Sequence, residues 1–251
     1  MRILSGILLA LVATLAQADR FDELHRAGLK AYARQDYARL EELMRAAEPL
    51  HPAHPRTRYN LAAALALQGR DSESLAELAA LAELGLGYRP AQDADFSRLR
   101  QDAEFRRLSA VLERNRRELD TLTPALQHRQ VLAAYFGGDY PRLQRELLRM
   151  EQLRPREPRS LYNYAAALVL LGSGQQALPL LAHLADAGYA YNVERDPDFV
   201  SLRQDPEFQR LAARFVANYQ RGERKSAYAY LWDGFNHFAG GFLGAALTGG
   251  F

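Results

Sequence analysis

This chain repeats itself, and the repeat limits its possible folds more than any other feature. Arg159-Ser160-Leu161-Tyr162-Asn163-Tyr164-Ala165-Ala166-Ala167-Leu168 is a second version of Arg56-Thr57-Arg58-Tyr59-Asn60-Leu61-Ala62-Ala63-Ala64-Leu65. The offset is 163 − 60 = 103 residues, and it runs without a gap well past the motif. Asp36-Tyr37 returns as Asp139-Tyr140, Gly85 as Gly188, Asp95-Phe96 as Asp198-Phe199 and Phe105 as Phe208. Aligning 29–115 with 132–218 leaves roughly 40 of 87 pairs identical, the self-similarity of a repeat fold.

A shorter period runs inside each copy. Gly28 to Ala62 is 62 − 28 = 34 residues, Met44 to Leu78 is also 34, and so is Val131 to Ala165. Apolar residues step at helical spacing throughout, and a 34-residue helix-turn-helix period is the signature of a tetratricopeptide repeat.

The resemblance to tetratricopeptide repeats covers roughly residues 24–190. Asn163, Tyr164, Ala165, Leu168, Gly172, Ala177, Leu181 and Leu184 occupy the family's signature positions, as do Asn60, Leu61, Ala62, Leu65, Gly69, Ser74, Leu78 and Leu81. The Trp common early in the first helix is absent, and Ser74 replaces the usual Ala. The resemblance implies an all-α, right-handed helix-turn-helix solenoid in two tandem copies of about 103 residues. Its four units fall near 24–52, 56–88, 127–155 and 159–191, with Pro52 and Pro155 ending the second helices.

Each pair of units is followed by Asp93-Ala94-Asp95-Phe96 through Phe105, or by its counterpart Asp196-Pro197-Asp198-Phe199 through Phe208. This is similar to the end-of-group segment that closes tetratricopeptide pairs in bacterial proteins. Asp93, Asp102, Asp196 and Asp205 fit N-caps, with Pro197 and Pro206 at first helical positions. Phe96/Leu99 and Phe105/Leu108 then predict two short helices. Caps and solvated faces account for these acidic residues better than a metal does. Residues 113–126 form a charged connection, which places the boundary between a first domain, 19–122, and a second, 123–220.

The termini stand apart from the repeat. Met1-Arg2, the apolar run Ile3 to Leu15 and Ala16-Gln17-Ala18 predict a secretory signal peptide, residues 1–18, cut before Asp19. This implies a periplasmic or secreted protein. With no Cys, an exported chain relies on its core rather than on disulfides. Residues 221–251 are a Gly- and aromatic-rich tail without a first-half counterpart. Three readings of it stand: packing on the last repeat, an interfacial membrane contact, or docking into a partner. Trp232, Phe238 and Phe242 are its candidate contacts.

Composition narrows function. A formal charge of +2 gives no electrostatic case for nucleic acid. There is no Gly-x-Ser-x-Gly elbow, no phosphate-cradling glycine loop with Lys and no Cys nucleophile, so neither catalysis nor a cofactor is expected. His51 and His54 flank Pro52 in a turn and are expected to sit in an ordinary solvated loop.

The resemblance places the first helix of each unit on a concave, partner-binding groove. Carried over residue by residue, it marks Arg56, Tyr59 and Asn60 in one unit and Arg159, Tyr162 and Asn163 in its counterpart. The other two units supply His25, Tyr32, His128 and Tyr135. Arg and Asn four apart share a helical face and both donate to carboxylates. They look like part of a clamp for acidic or C-terminal peptides, although the clamp's usual Lys residues are missing. The competing reading is structural: the asparagines bonding to backbone and the tyrosines packing. The expectation is therefore a non-catalytic protein- or peptide-binding adaptor or assembly factor. The alternative is a membrane-peripheral scaffold docking through its tail.

Overall fold

The computed structural model describes residues 16–155 and 157–222. Most of the expected leader, and Trp232, Phe238 and Phe242 of the tail, lie outside the described residues. Within them the protein is all-α. The first copy runs α1 (Ala16–Ala33), α2 (Tyr37–Ala47), α3 (Pro55–Leu67), α4 (Asp71–Glu83), a 3-10 segment (Ala94–Gln101) and α5 (Ala103–Thr121). The second runs α6 (Pro124–Phe136), α7 (Tyr140–Leu153), α8 (Pro158–Leu170), α9 (Gly174–Asp186), a 3-10 segment (Pro197–Leu202) and α10 (Pro206–Arg221). No helix among the described residues is long and apolar enough to cross a membrane.

Local chemistry sets the helix starts. Asp36 accepts the Arg39 N–H ahead of α2, Asp102 accepts that of Phe105 ahead of α5, and Asp205 accepts those of Glu207 and Phe208 ahead of α10. Each satisfies amides that the first helical turn leaves without partners, worth about 1 kcal/mol apiece. Pro55, Pro158 and Pro206 follow the caps at positions where a missing N–H costs nothing.

The closing segments differ from the two short helices expected of them. Residues 94–101 and 197–202 are 3-10, and each leads into a long α-helix, α5 or α10. The reason is spacing. After Phe105 and Leu108, buried positions continue at Leu112, Asn115 and Leu119, so one buried stripe carries the helix into the predicted connection as far as Thr121.

The chain forms two compact units. The first comprises Phe21–Ala133 with Arg145–Pro155, and the second holds the remainder. In the first, Ala31, Leu40, Leu43, Met44, Leu61, Ala64 and Leu65 make a continuous core. Helices α3 and α4 approach closely because Ala62 is fully buried and Ser74 Oγ donates to its carbonyl at 2.8 Å. Arg58 joins Glu48 and Glu77 at 2.8 and 3.1 Å. In the second unit, the Ala-rich face of α8 is buried together with Leu178, Leu181, Leu184 and Phe215. Full burial of such side chains stabilises by about 1.5–3 kcal/mol each.

Candidate functional site

The groove candidates divide into residues spent inside the fold and residues that reach its surface. The four tyrosines all bond within the fold, although Tyr32 remains exposed. Tyr32 donates its hydroxyl to Asp95 Oδ1 at 2.7 Å, and Tyr59 to Asp93 Oδ2 at 2.9 Å. At the same register of the second copy, Tyr135 donates to Asp198 Oδ1 at 2.9 Å and Tyr162 to Asp196 Oδ2 at 2.5 Å. Both copies therefore tie two helices to their closing segment through two Tyr–Asp pairs. Asp93 and Asp196 also cap that segment, accepting the N–H of Asp95 and Asp198.

Aromatic stacking holds one tyrosine of each set. The Tyr59 ring lies 4.1 Å from Tyr88 at 9°, and that of Tyr162 lies 4.3 Å from Tyr191 at 21°. Such offset pairs add about 0.5–1.5 kcal/mol beyond burial.

Electrostatics track burial and pairing. The hydrogen bond to Asp95 pushes Tyr32 up to about 12, with partial burial adding to it. Burial, then the charge of Asp93, raises Tyr59. Tyr162 is raised well above the usual phenol range, first by burial and then by Asp196. Burial lifts Asp196 to about 6, against the opposing hydrogen bond from Tyr162.

The remaining candidates are spread between core and surface. His25 is buried, with Nε2 2.9 Å from Thr57 Oγ1. Asn163 is buried, whereas Asn60 and His128 are half-buried. Arg56 is exposed. Arg159 is 26% exposed, with Nε 4.0 Å from Glu157 Oε1. The asparagines that cap neighbouring backbone are different ones. Asn115 donates to the carbonyls of Ala82 and Leu86, and Asn218 to those of Ala185 and Tyr189. Their identity across the repeat was the available signal.

The histidine turn is a correction. His51 and His54 are 6% and 8% exposed, not solvated. Phe21 sits among the rings of His25, His51 and His54 at 4.6, 5.6 and 5.0 Å. Glu151 lies within the same unit, its Oε1 3.9 Å from His54 Nε2. His51, His54 and Glu151 bring ligand-type atoms within 4.8 Å of one another, a donor set suited to a divalent metal. One bond counts against that use. His54 Nδ1 accepts the Thr57 N–H at 3.2 Å as the N-cap of α3, so the proton of the neutral ring sits on Nε2, the atom facing Glu151. A metal at Nε2 would have to displace that proton and the cap.

The second unit holds an open cleft of about 270 Å³. The 190–195 stretch forms one wall, and Phe215, Val216 and Tyr219 of α10 form the other. Val216 is 46% and Tyr219 41% exposed. Nothing in the sequence alone marked it, because the wall is assembled from a turn and one helix face.

Comparison with protein-family models, with curated proteins and with solved structures finds no match for this chain.

Proposed function

We propose that this chain is a tetratricopeptide-like helical solenoid acting as a non-catalytic adaptor or assembly factor. It would work in the bacterial periplasm and bind the carboxylates of an acidic or C-terminal peptide. One observation carries the reading: the tyrosines of the groove positions bond to aspartates of the closing segments, while Arg56, exposed, and Arg159, partly exposed, lie one helical turn before Tyr59 and Tyr162. Each copy thus carries a guanidinium, exposed at Arg56 and partly exposed at Arg159, on a braced helix. A guanidinium fork favours bidentate carboxylate contacts, and fixing its support lowers the entropy cost of binding. The signal-like leader and the absence of cysteine support the compartment.

The test is binding of the purified chain to an array of acidic and C-terminal peptides, against amidated controls. Arg56→Ala/Arg159→Ala should weaken binding by about tenfold or more, the loss of a charge-assisted contact. Equal binding by both proteins would contradict the reading.

A further inference from the structure

The two copies treat one face differently. In the first unit, residues 145–155 cover the turn after α4 and the adjoining face of α5. Gln152 Oε1 accepts the Gly87 N–H at 2.9 Å, and Gln152 Nε2 donates to the Gly87 carbonyl at 2.6 Å. Arg149 lies beside Gly85 and 3.8 Å from Glu118. The covering segment belongs to the hairpin that comes after α5 in the chain.

At the same register, 103 residues on, the second unit has the open cleft. Its helix wall has lost charge, with Leu112, Glu113 and Arg116 replaced by Phe215, Val216 and Tyr219 and Gly87 by Ala190, whereas the opposite wall has gained it, with Glu194 and Arg195 standing for Ala91 and Gln92. The helix face that receives an Arg-, Glu- and Gln-rich segment in the first unit is aromatic and aliphatic in the second, facing a wall that carries Asn192, Glu194 and Arg195. The sequence beyond α10 has changed to match. Residues 226–251 carry a single Asp, Glu, Lys or Arg, Asp233, and residues 223–251 hold seven aromatics. The chain leaves α10 at Gly222, whose φ of +67° turns it three residues after Tyr219. Shifted by 103, Gly240-Gly241 falls on Gly137-Gly138, the turn from α6 to α7, and Phe238 falls on Tyr135.

We propose that the chain's own residues 226–242 dock in the cleft formed by Ala190, Tyr191, Phe215, Val216 and Tyr219, capping the second copy as residues 145–155 cap the first. A repeat unit's apolar end needs such a cover. A second copy is the weaker occupant. Its N-terminal hairpin is the register counterpart of α6–α7, but it carries Pro49 where Gln152 stands and Ala46 where Arg149 stands.

Trp232 is the chain's single tryptophan, which gives a direct readout in the full-length protein. The docked tail predicts blue-shifted, quencher-protected emission at every protein concentration. Val216→Glu/Tyr219→Asp should shift that emission to the red and remove the protection, with far-UV helicity unchanged. Val200→Glu, 60% exposed and outside the cleft, should leave it as in the wild type. The proposal is overturned if wild-type emission is already that of indole in water, or if the cleft substitutions leave it unmoved. A blue shift that grows with protein concentration assigns the tail to a second copy. One that appears only with phospholipid vesicles assigns it to a lipid surface. Either result also overturns the proposal.

Discussion

Residue 87 and residue 190 occupy the same place in two copies of one unit, yet they meet different neighbours. A Cβ on Gly87 would fall inside the backbone of Arg116, and its amide is held in a two-bond clamp by Gln152. Ala190 carries that Cβ in the wall of a cleft. The two segments therefore share an internal scaffold and differ on the face that residues 145–155 cover in the first. The Tyr–Asp braces show the shared part, and the faces of α5 and α10 the differing part.

The sharpest way to break this comparison is to exchange the two residues. Gly87→Ala should cost about 3 kcal/mol or more, since backbone rather than a flexible side chain must give way. Ala190→Gly should cost less than about 1 kcal/mol, chiefly through unfolded-state entropy. Urea unfolding of both variants checks it, and equal losses would show that the faces are not packed differently.

A smaller contrast lies within the braces. Tyr162 is 4% exposed, whereas Tyr32 is 42% exposed. Tyr162→Phe removes the donor to a buried carboxylate and should cost about 2 kcal/mol; Tyr32→Phe, bonding in solvent, should cost about 0.5 kcal/mol. Thermal or urea unfolding of the two variants measures the difference.

The last contrast is one of pH and concerns Asp196. Its folded value is raised to about 6 from 3.8, so the native state holds a proton that the unfolded chain releases. That stabilisation is fully present below about 4 and is lost as pH rises through about 6. The shift of about two pH units corresponds to at most about 3 kcal/mol. Subtracting the pH-stability curve of Asp196→Asn from that of the wild type should isolate a component falling over this window. A flat difference would mean that Asp196 titrates alike in both states.

How much of this was legible in the sequence depends on the range of the interaction. The helices were, because period, caps and proline positions act locally: Asp102 and Asp205 cap where their spacing to Phe105 and Phe208 predicts. The length of α5 was partly hidden, because Arg114, Arg116 and Arg117 obscure the buried stripe Leu112, Asn115, Leu119. The Tyr–Asp pairs were not legible, since Tyr32 and Asp95 are 63 residues apart and a groove tyrosine looks the same as a bracing one. Nor was the burial of His51 and His54. Their counterparts in the second copy, Arg154 and Glu157, pointed towards solvent chemistry, while Phe21 and Glu151 supply the enclosure from elsewhere in the chain. Register alone also passes over a backbone substitution. Gln35 takes a φ of +57° where the second copy places Gly138 at +66°.

The division of the groove positions into braces and contact residues is the central claim, and peptide-array binding of two variants tests it most directly. Arg56→Ala/Arg159→Ala should lose about tenfold or more in affinity while unfolding at the wild-type urea concentration. Tyr59→Phe/Tyr162→Phe should unfold earlier but keep its affinity at temperatures where it remains folded. Loss of binding in the tyrosine variant, with full binding in the arginine variant, would contradict the account and return the tyrosines to the binding surface.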